Sequence, residues 1–189
     1  MTLAERVKQI LMSPNEAWPE IRAEPATIQS LFRGYVMPLA AIPAVAGFVG
    51  GSVFGYSMMG MHYRVPLVSG LLSAAVSYGL SLVGVYVLAM IIDALSTTFA
   101  SRKDSVLSTK LAAYSHTASW VAGIFLAIPG LRFLSVFGLY GFYLFYTGLG
   151  PVMGTPDDKR LPYTIAVAVS AIVVFVVIGM LLRSLVPFG

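Results

Sequence analysis

Three ionisable residues lie beside long apolar stretches, where a charge has its largest chemical consequence. Asp93 follows a run from Val65 to Ile92 that contains no charged residue, and Lys110 and His116 lie at the start of another apolar stretch. A carboxylate beside an apolar run of membrane-span length is costly unless it reaches water or a partner, and such residues often mark ion or proton paths. A contact of Asp93 with His116 or Lys110 is sterically feasible. The alternatives are a proton or cation site, an interfacial ion pair, or a carboxylate that is solvated by water.

Enzyme signatures are absent from the sequence. There is no His-Glu-x-x-His motif, no Gly-x-Ser-x-Gly motif and no phosphate-binding P-loop. The chain has no cysteine, which excludes thiolate chemistry. Its two histidines provide few ligands for a metal ion. We therefore expect no catalytic residue, no metal site and no cofactor, and we predict that the protein is not an enzyme.

Small residues recur at helical spacing in two of the apolar stretches. Gly47, Gly51 and Gly55 are four residues apart, and serines at 73, 77 and 81 repeat the pattern. In a bilayer, small residues at this spacing let helix backbones approach closely. The pattern predicts close helix packing, within one chain or between the chains of a homo-oligomer.

A polar stretch, SPNEAWPEIRAEP (13–25), precedes the first apolar run. Ser13 with Glu16 fits a helix-capping box, as does an earlier Thr-x-x-Glu pattern, so two short amphipathic helices are expected within residues 1–33. One alternative is a lead-in that only orients the first membrane crossing. The other is a docking surface for a cytoplasmic protein partner, and the residues predicted to form it are Glu16, Trp18, Glu20 and Ile21, with Arg102 and Lys103 on the same side of the membrane.

The composition is that of a membrane protein. Hydrophobic residues make up 58% of the chain, charged residues only 11%, and the mean hydropathy is +0.84. Because lipid offers no hydrogen bonds, a spanning segment must satisfy its own backbone, which an α-helix of about 20 apolar residues does. The apolar runs predict an all-α integral membrane protein with five transmembrane helices, at about 34–56, 67–95, 111–129, 132–150 and 163–186, so that residues 34–189 form one transmembrane domain behind the amphipathic lead-in.

The distribution of Lys and Arg predicts the orientation. Nine of the twelve basic residues lie in the segments 1–33, 96–110 and 151–162, whereas Arg64, Arg132 and Arg183 lie on the opposite side. Positive charge is retained on the cytoplasmic side of a membrane. We expect a multi-pass protein of the cytoplasmic (inner) membrane with its N-terminus in the cytoplasm and its C-terminus outside. The positive net charge is attributed to orientation and lipid contact, since no basic patch of the nucleic-acid-binding kind is present.

Several short motifs resemble those of one membrane-protein family. The stretch LMSPNEAWPEI (11–21) resembles the Ser-Pro-x-x-x-Trp-x-x-Ile lead-in of bacterial proteins with a Yip (Ypt/Rab-interacting protein) domain. YSHTASW (114–120) is similar to the Tyr-Ser-x-x-Pro motif that opens that family's third helix, although Ala118 and Ser119 stand where the motif has proline. The Ile-Pro turn and Gly- and Tyr-rich helix of 128–149 fit as well. The resemblance covers nearly the whole chain and implies five crossings, a cytoplasmic N-terminus and no known catalytic residues.

Two function classes follow. The first is a non-catalytic membrane organiser or adaptor that docks a cytoplasmic or membrane partner; eukaryotic Yip proteins are implicated in contacts with Rab-type GTPases, through a longer N-terminal region than this one. The alternative is a small ion or proton channel or transporter, possibly an oligomer, suggested by Asp93, His116 and a stripe of tyrosines at 140, 143 and 146. The absence of an internal repeat disfavours a transporter built from two inverted halves.

Overall fold

The computed structural model describes residues 1–58 and 61–185. Their regular secondary structure is helical except for one short antiparallel ribbon, Tyr56–Met58 paired with Met61–Tyr63. The helical architecture predicted from the sequence is therefore confirmed. The α-helices in chain order are α1 (Leu3–Met12), α2 (Pro14–Ala23), α3 (Ile28–Leu31), α4 (Met37–Phe48), α5 (Leu67–Ser96), α6 (Ser105–Ser115), α7 (Thr117–Ala122), α8 (Tyr140–Met153) and α9 (Asp157–Leu185).

The first apolar helix is longer than the sequence predicted and carries two irregular turns. It runs continuously from Ile28 to Phe54, with α3 and α4 joined by a π-helical stretch at Phe32–Val36 and a second such stretch at Val49–Phe54. π-Turns insert an extra residue and commonly accompany a local distortion of the helix, and prolines at 38 and 43 lie close to them in the chain. The helix ends at Gly55, whose φ of 78° is readily adopted only by glycine.

The second crossing agrees closely with its prediction. α5 extends from Leu67 to Ser96 and continues as a 3₁₀ turn to Phe99. Its exposed residues include large apolar side chains from Leu67 to Met90, which is the surface a helix presents to lipid. The chain then leaves the helix through Ala100, which has a positive φ of 53°.

The third predicted crossing, 111–129, is not one helix. The segment consists of α6, α7 and a 3₁₀ stretch at Gly123–Ala127, with a break at His116. The ring nitrogen Nδ1 of His116 lies 3.1 Å from the Ala112 carbonyl oxygen, the same atom that accepts from the His116 amide at 3.2 Å. A side chain that bonds to its own helix competes with the backbone ladder, and this accompanies the break.

The fourth crossing is divided between two helix types. Residues Pro129–Leu139 form a 3₁₀ helix, and α8 continues from Tyr140 to Met153. A 3₁₀ helix rises about 2.0 Å per residue against 1.5 Å for an α-helix, so this crossing gains length from fewer residues. It ends at Gly154, with a φ of 70°, and Asp157 pairs with Arg160 at 2.5 Å in the first turn of α9.

Four helices of the described residues are long and apolar enough to cross a membrane: Ile28–Phe54, Leu67–Phe99, Pro129–Met153 and Asp157–Val177. The predicted fifth crossing, 163–186, begins six residues earlier than expected, and residue 186 lies outside the described part of the chain. The segment 105–127 is missing from these four because it is broken. The predicted number of five crossings is thus not reproduced by unbroken helices.

The core of the bundle surrounds α6. Residues 107 to 115 are all buried, including the polar residues Ser108, Thr109 and Lys110. Neighbouring elements α2, α3, α5 and α8 cover this helix on its different sides. A helix that is buried on all sides has no stripe of apolar residues facing lipid. This explains why hydropathy alone did not predict the limits of this helix.

Candidate functional site

The N-terminal segment folds into two packed helices, here called the N-terminal cap (α1 and α2, Leu3–Ala23). The Arg6 guanidinium holds the pair together: it is only 6% exposed, forms an ion pair with Glu24 and lies 3.6 Å from a Glu20 oxygen. Gln9 bridges the same groups, accepting from Arg6 at 2.7 Å and donating to Glu20 at 2.7 Å. A buried charge is tolerated where it is paired and hydrogen-bonded, so this network fixes the angle between the two helices.

Lys110 fastens the cap to the bundle. Its Nζ donates to the carbonyl oxygens of Ile21 at 2.6 Å, Arg22 at 3.2 Å and Glu24 at 2.5 Å. These carbonyls lie at the C-terminal end of α2, where helix carbonyls lack backbone partners and where a cation is favoured by the helix dipole.

Trp18 anchors the middle of α2. Its side chain is fully buried, with its ring edge-on to Tyr114 at 6.4 Å and its Nε1 donating to the Thr147 hydroxyl at 3.3 Å. The absence of a side chain at Gly148 makes room for it, since a Cβ there would lie 2.7 Å from the indole. The indole predicted to contact a partner therefore packs inside the bundle, together with the fully buried Ile21.

The four charged residues of the predicted partner surface are exposed. Glu16 and Glu20 lie on the outer side of α2, and Arg102 and Lys103 lie on the loop between α5 and α6. Both regions contact the last turn of α8, because Arg22 donates to the Pro151 carbonyl at 3.0 Å and the Arg102 amide donates to the Met153 carbonyl at 2.8 Å. A docking role for these four residues stays a prediction, whereas Trp18 and Ile21 position the surface from beneath.

The structure does not bring Asp93, Lys110 and His116 together as one cluster within residues 1–58 and 61–185. Asp93 accepts a hydrogen bond from the Ser108 hydroxyl at 3.3 Å and is half-buried near the end of α5. Lys110 binds the α2 carbonyls, and His116 binds Ala112. A contact of Asp93 with either cation is not formed among the described residues.

Within the chain, the closest helix approaches are made at glycines other than Gly47 and Gly55. Nothing lies within 4 Å of a Cβ built at Gly47, and Gly55 lies beyond the helix end. The close approaches occur elsewhere: a Cβ at Gly50 would lie 2.0 Å from the Leu126 carbonyl oxygen, and one at Gly123 would lie 2.6 Å from Pro43. Periodicity in the sequence could not select these positions, because which face of a helix meets a neighbour is decided by the packing.

Gly47 and Gly51 instead line a cavity of about 320 Å³ between α4 and α5. Ser52 is buried beside it, and its hydroxyl has no hydrogen-bond partner among the described residues. Other polar residues of the lining are Ser73, Ser77 and Arg132. Two of the three predicted glycines and two of the three serines thus line a small cavity.

The described residues hold no group of three His, Asp or Glu side chains arranged to bind a metal. Sequence reasoning missed Arg6, and it singled out Lys110 without predicting its contact with α2, because the buried role of a cation depends on partners distant in sequence. The signal available was modest: Arg6 lies on the amphipathic α1, three residues before Gln9.

Comparison with known proteins supports the resemblance seen in the motifs. A family model described as the Yip1 domain matches residues 8–178. The inner membrane protein YohC of Escherichia coli K12 is 26% identical over 145 residues, covering 76% of this chain and 73% of YohC. The same protein from Escherichia coli O6:H1 matches equally. No solved structure matches the chain.

Proposed function

The chain belongs to the Yip1 domain family of multi-pass membrane proteins, and from this premise we propose that it acts as a non-catalytic membrane organiser or adaptor that docks a cytoplasmic or membrane partner. The docking surface is the charged outer side of the N-terminal cap with the adjoining loop. Its residues are Glu16, Glu20, Arg102 and Lys103.

The observation that carries this proposal is the way the cap is held. Its inner side is fixed by the buried Trp18, the Arg6 network and the three Lys110 hydrogen bonds. Its outer side presents the acidic side chains Glu16 and Glu20, and both the cap and the loop with the basic pair contact the last turn of α8. A pre-organised surface loses little conformational entropy when a partner binds, which favours docking over a passive role in orienting the first crossing.

The proposed location is the inner membrane, the location that the name of the relative YohC gives for that protein. The excess of basic residues in 1–33, 96–110 and 151–162 supports a cytoplasmic cap. When the broken segment 105–127 is counted as a crossing, the chain crosses the membrane five times, and the C-terminus then lies outside. Contact with the bilayer follows from the apolar helices, and self-association through them is compatible with the same proposal.

Site-specific photocrosslinking tests the docking surface. A photoreactive residue at Glu16 is expected to capture one discrete protein, and the charge reversals Arg102→Glu and Lys103→Glu are expected to abolish that product. Val76, 60% exposed on α5, serves as the matched control and is expected to capture lipid. Lipid products alone at Glu16, or a protein product that survives both reversals, would contradict the proposal.

The second candidate, a channel or transporter, is favoured by one observation, the cavity between α4 and α5 whose lining includes Ser52, Ser73 and Ser77. Purified protein in liposomes is expected to show no proton or ion flux above empty liposomes if the adaptor role is correct. Flux that is lost in Asp93→Asn, but kept in the exposed control Asp158→Asn, would replace the adaptor with the transporter.

A further inference from the structure

A second and larger cavity opens on the lipid-facing side of the bundle. It has a volume of about 540 Å³ and lies between α5, the α6–α7 break, α8 and α9. Along α9 its lining extends from Thr164 to Val176, which is about 18 Å at 1.5 Å per residue. The hydrocarbon of one leaflet is about 15 Å deep, half of a core of roughly 30 Å. The groove therefore matches the length of a single lipid chain.

The lining is apolar except along one short segment. Apart from Thr164, every hydrogen-bonding side chain of the lining comes from Ser115, His116 and Ser119. Thr164 and Ser119 already donate to backbone carbonyls, at 2.8 and 3.1 Å. The Ser115 hydroxyl is different: it is buried and has no hydrogen-bond partner among the described residues. A buried hydroxyl without a partner carries a desolvation cost that a bound ligand can relieve.

The protonation of His116 follows from its own contact. Its Nδ1 lies 3.1 Å from the Ala112 carbonyl oxygen, which can only accept, so Nδ1 carries the hydrogen. In the neutral ring Nε2 then holds a lone pair and is an acceptor. Ser115 and His116 are consecutive residues that both line the groove. The serine hydroxyl can donate a hydrogen bond and the imidazole Nε2 can accept one. A carboxyl group offers the complement, with one oxygen that accepts and one that donates.

The depth of this pair disfavours a phospholipid head group. The Ser115 carbonyl packs against Gly141, where a Cβ would lie 2.7 Å away. The nearby surface of the fourth crossing is mainly apolar, with Leu139 60% and Phe142 56% exposed, and the hydroxyl of the intervening Tyr140 already donates to the Leu11 carbonyl at 3.2 Å. A phosphate would have to leave water to reach this depth, at a large cost. A carboxyl paired with imidazole stays neutral as a pair, whichever of the two holds the shared proton.

From these observations we propose that the groove binds a single-chain fatty acid, whose carboxyl group is held by Ser115 and His116 and whose chain lies against α8 and α9. The occupant is a free long-chain carboxylic acid from the bilayer. Its chain buries the apolar lining, and its head satisfies the Ser115 hydroxyl and the Nε2 atom.

Quenching of Trp120 fluorescence by a brominated lipid tests this. The Trp120 ring lies 5.7 Å from the His116 ring, and the chain has only two tryptophans, so Trp18→Phe leaves a single reporter. In that background, dibromostearic acid is expected to quench saturably at roughly tenfold lower concentration than its methyl ester or the corresponding alcohol, the effect of about one buried hydrogen bond.

Three variants separate the head from the chain. His116→Phe is expected to remove the preference of acid over ester, and Ser115→Ala to weaken the binding of both while leaving thermal stability unchanged, because its hydroxyl has no partner in the described structure. Ala171→Phe fills the groove and is expected to abolish saturable quenching by every probe. Equal binding of acid, ester and alcohol by the parent protein, or acid quenching that survives Ala171→Phe, overturns the proposal.

Discussion

Buried polar atoms, rather than apolar ones, decide where the N-terminal cap lies. Lys110 and Arg6 are 3% and 6% exposed, yet each has several hydrogen-bond or ion-pair partners. A buried lysine or arginine side chain destabilises the fold when its partners are removed. With its partners in place, it favours one arrangement of the packed helices. The cap is therefore positioned by a few directional contacts, and single substitutions should release it.

Lys110→Met is expected to loosen the cap, because it removes three donors from the end of α2 while keeping the length of the side chain. We expect a loss of about 3 kcal/mol in the free energy of unfolding, the range for a buried charged hydrogen-bonding group. Thermal unfolding in detergent measures it, and limited proteolysis between residues 12 and 28 reports the release. Lys103→Met, at an exposed position, is the control, and equal behaviour of the two variants would contradict the assigned role.

Gly148→Ala is expected to displace Trp18, because the added Cβ would lie 2.6 Å from Leu111 and 2.7 Å from the indole. Overpacking of this kind costs about 1–3 kcal/mol. A red shift of tryptophan emission, in a Trp120→Phe background, would accompany the lower melting temperature. Gly79→Ala has nothing within 4 Å of its new Cβ and is expected to be neutral or slightly stabilising. An unshifted spectrum in Gly148→Ala would show that α2 adapts without moving Trp18.

Among the elements, the third segment differs most from a simple crossing. α6 is buried on all sides, the chain breaks at His116, and the following turns are α-helical and then 3₁₀. The break exposes the polar wall of the lipid-facing groove, so the irregular backbone lies where it lines a cavity. The break occurs without a proline, even though the family motif has proline at the position of Ala118.

Ala118→Pro is expected to leave the fold intact, because residue 118 lies in the first turn of α7, where an amide is not needed for the helix ladder. Ala112→Pro, in the middle of α6, is expected to cost about 3 kcal/mol or more and to prevent folding. The folded fraction by size-exclusion chromatography and the melting temperature compare the two. If Ala118→Pro unfolds as readily as Ala112→Pro, α6 and α7 behave as one continuous helix.

For the whole molecule, the exposed surface is what a bilayer requires. Large apolar side chains are exposed on α5, along the fourth crossing and on α9, and the four unbroken apolar helices carry most of them. Exposed charged residues gather in the cap and in the loops near Arg102 and Asp157. This division separates a polar end from an apolar belt, and the basic residues predict which side of the membrane that polar end occupies.

The cysteine-free sequence makes this orientation directly testable. A membrane-impermeant maleimide is expected to label Arg64→Cys in intact spheroplasts, and to label Lys103→Cys only after the membrane is permeabilised. Both positions are exposed in the structure, so a difference in labelling reports the side of the membrane and not burial. Labelling in the reverse order would place the cap outside and would remove the proposed cytoplasmic partner.

The sequence by itself determined the class of protein, the family and the approximate limits of the apolar helices. These follow from composition, from runs long enough to satisfy their own backbone in lipid, and from short motifs such as the Ser-Pro-x-x-x-Trp lead-in. It also identified helix-capping boxes, one of which is formed at Thr2 and Glu5. Such features depend on residues that are close together in the chain, so they can be predicted from the sequence alone.

Only the tertiary structure decided which residues are available for function. Trp18 and Ile21 face inward, Lys110 binds α2 instead of Asp93, and contact glycines lie at 50, 123 and 148 rather than at 47 and 55. The groove beside His116 depends on four elements that are distant in the sequence. Each outcome depends on which helix faces meet, and that is set by the simultaneous burial of all the helices, which no single segment encodes.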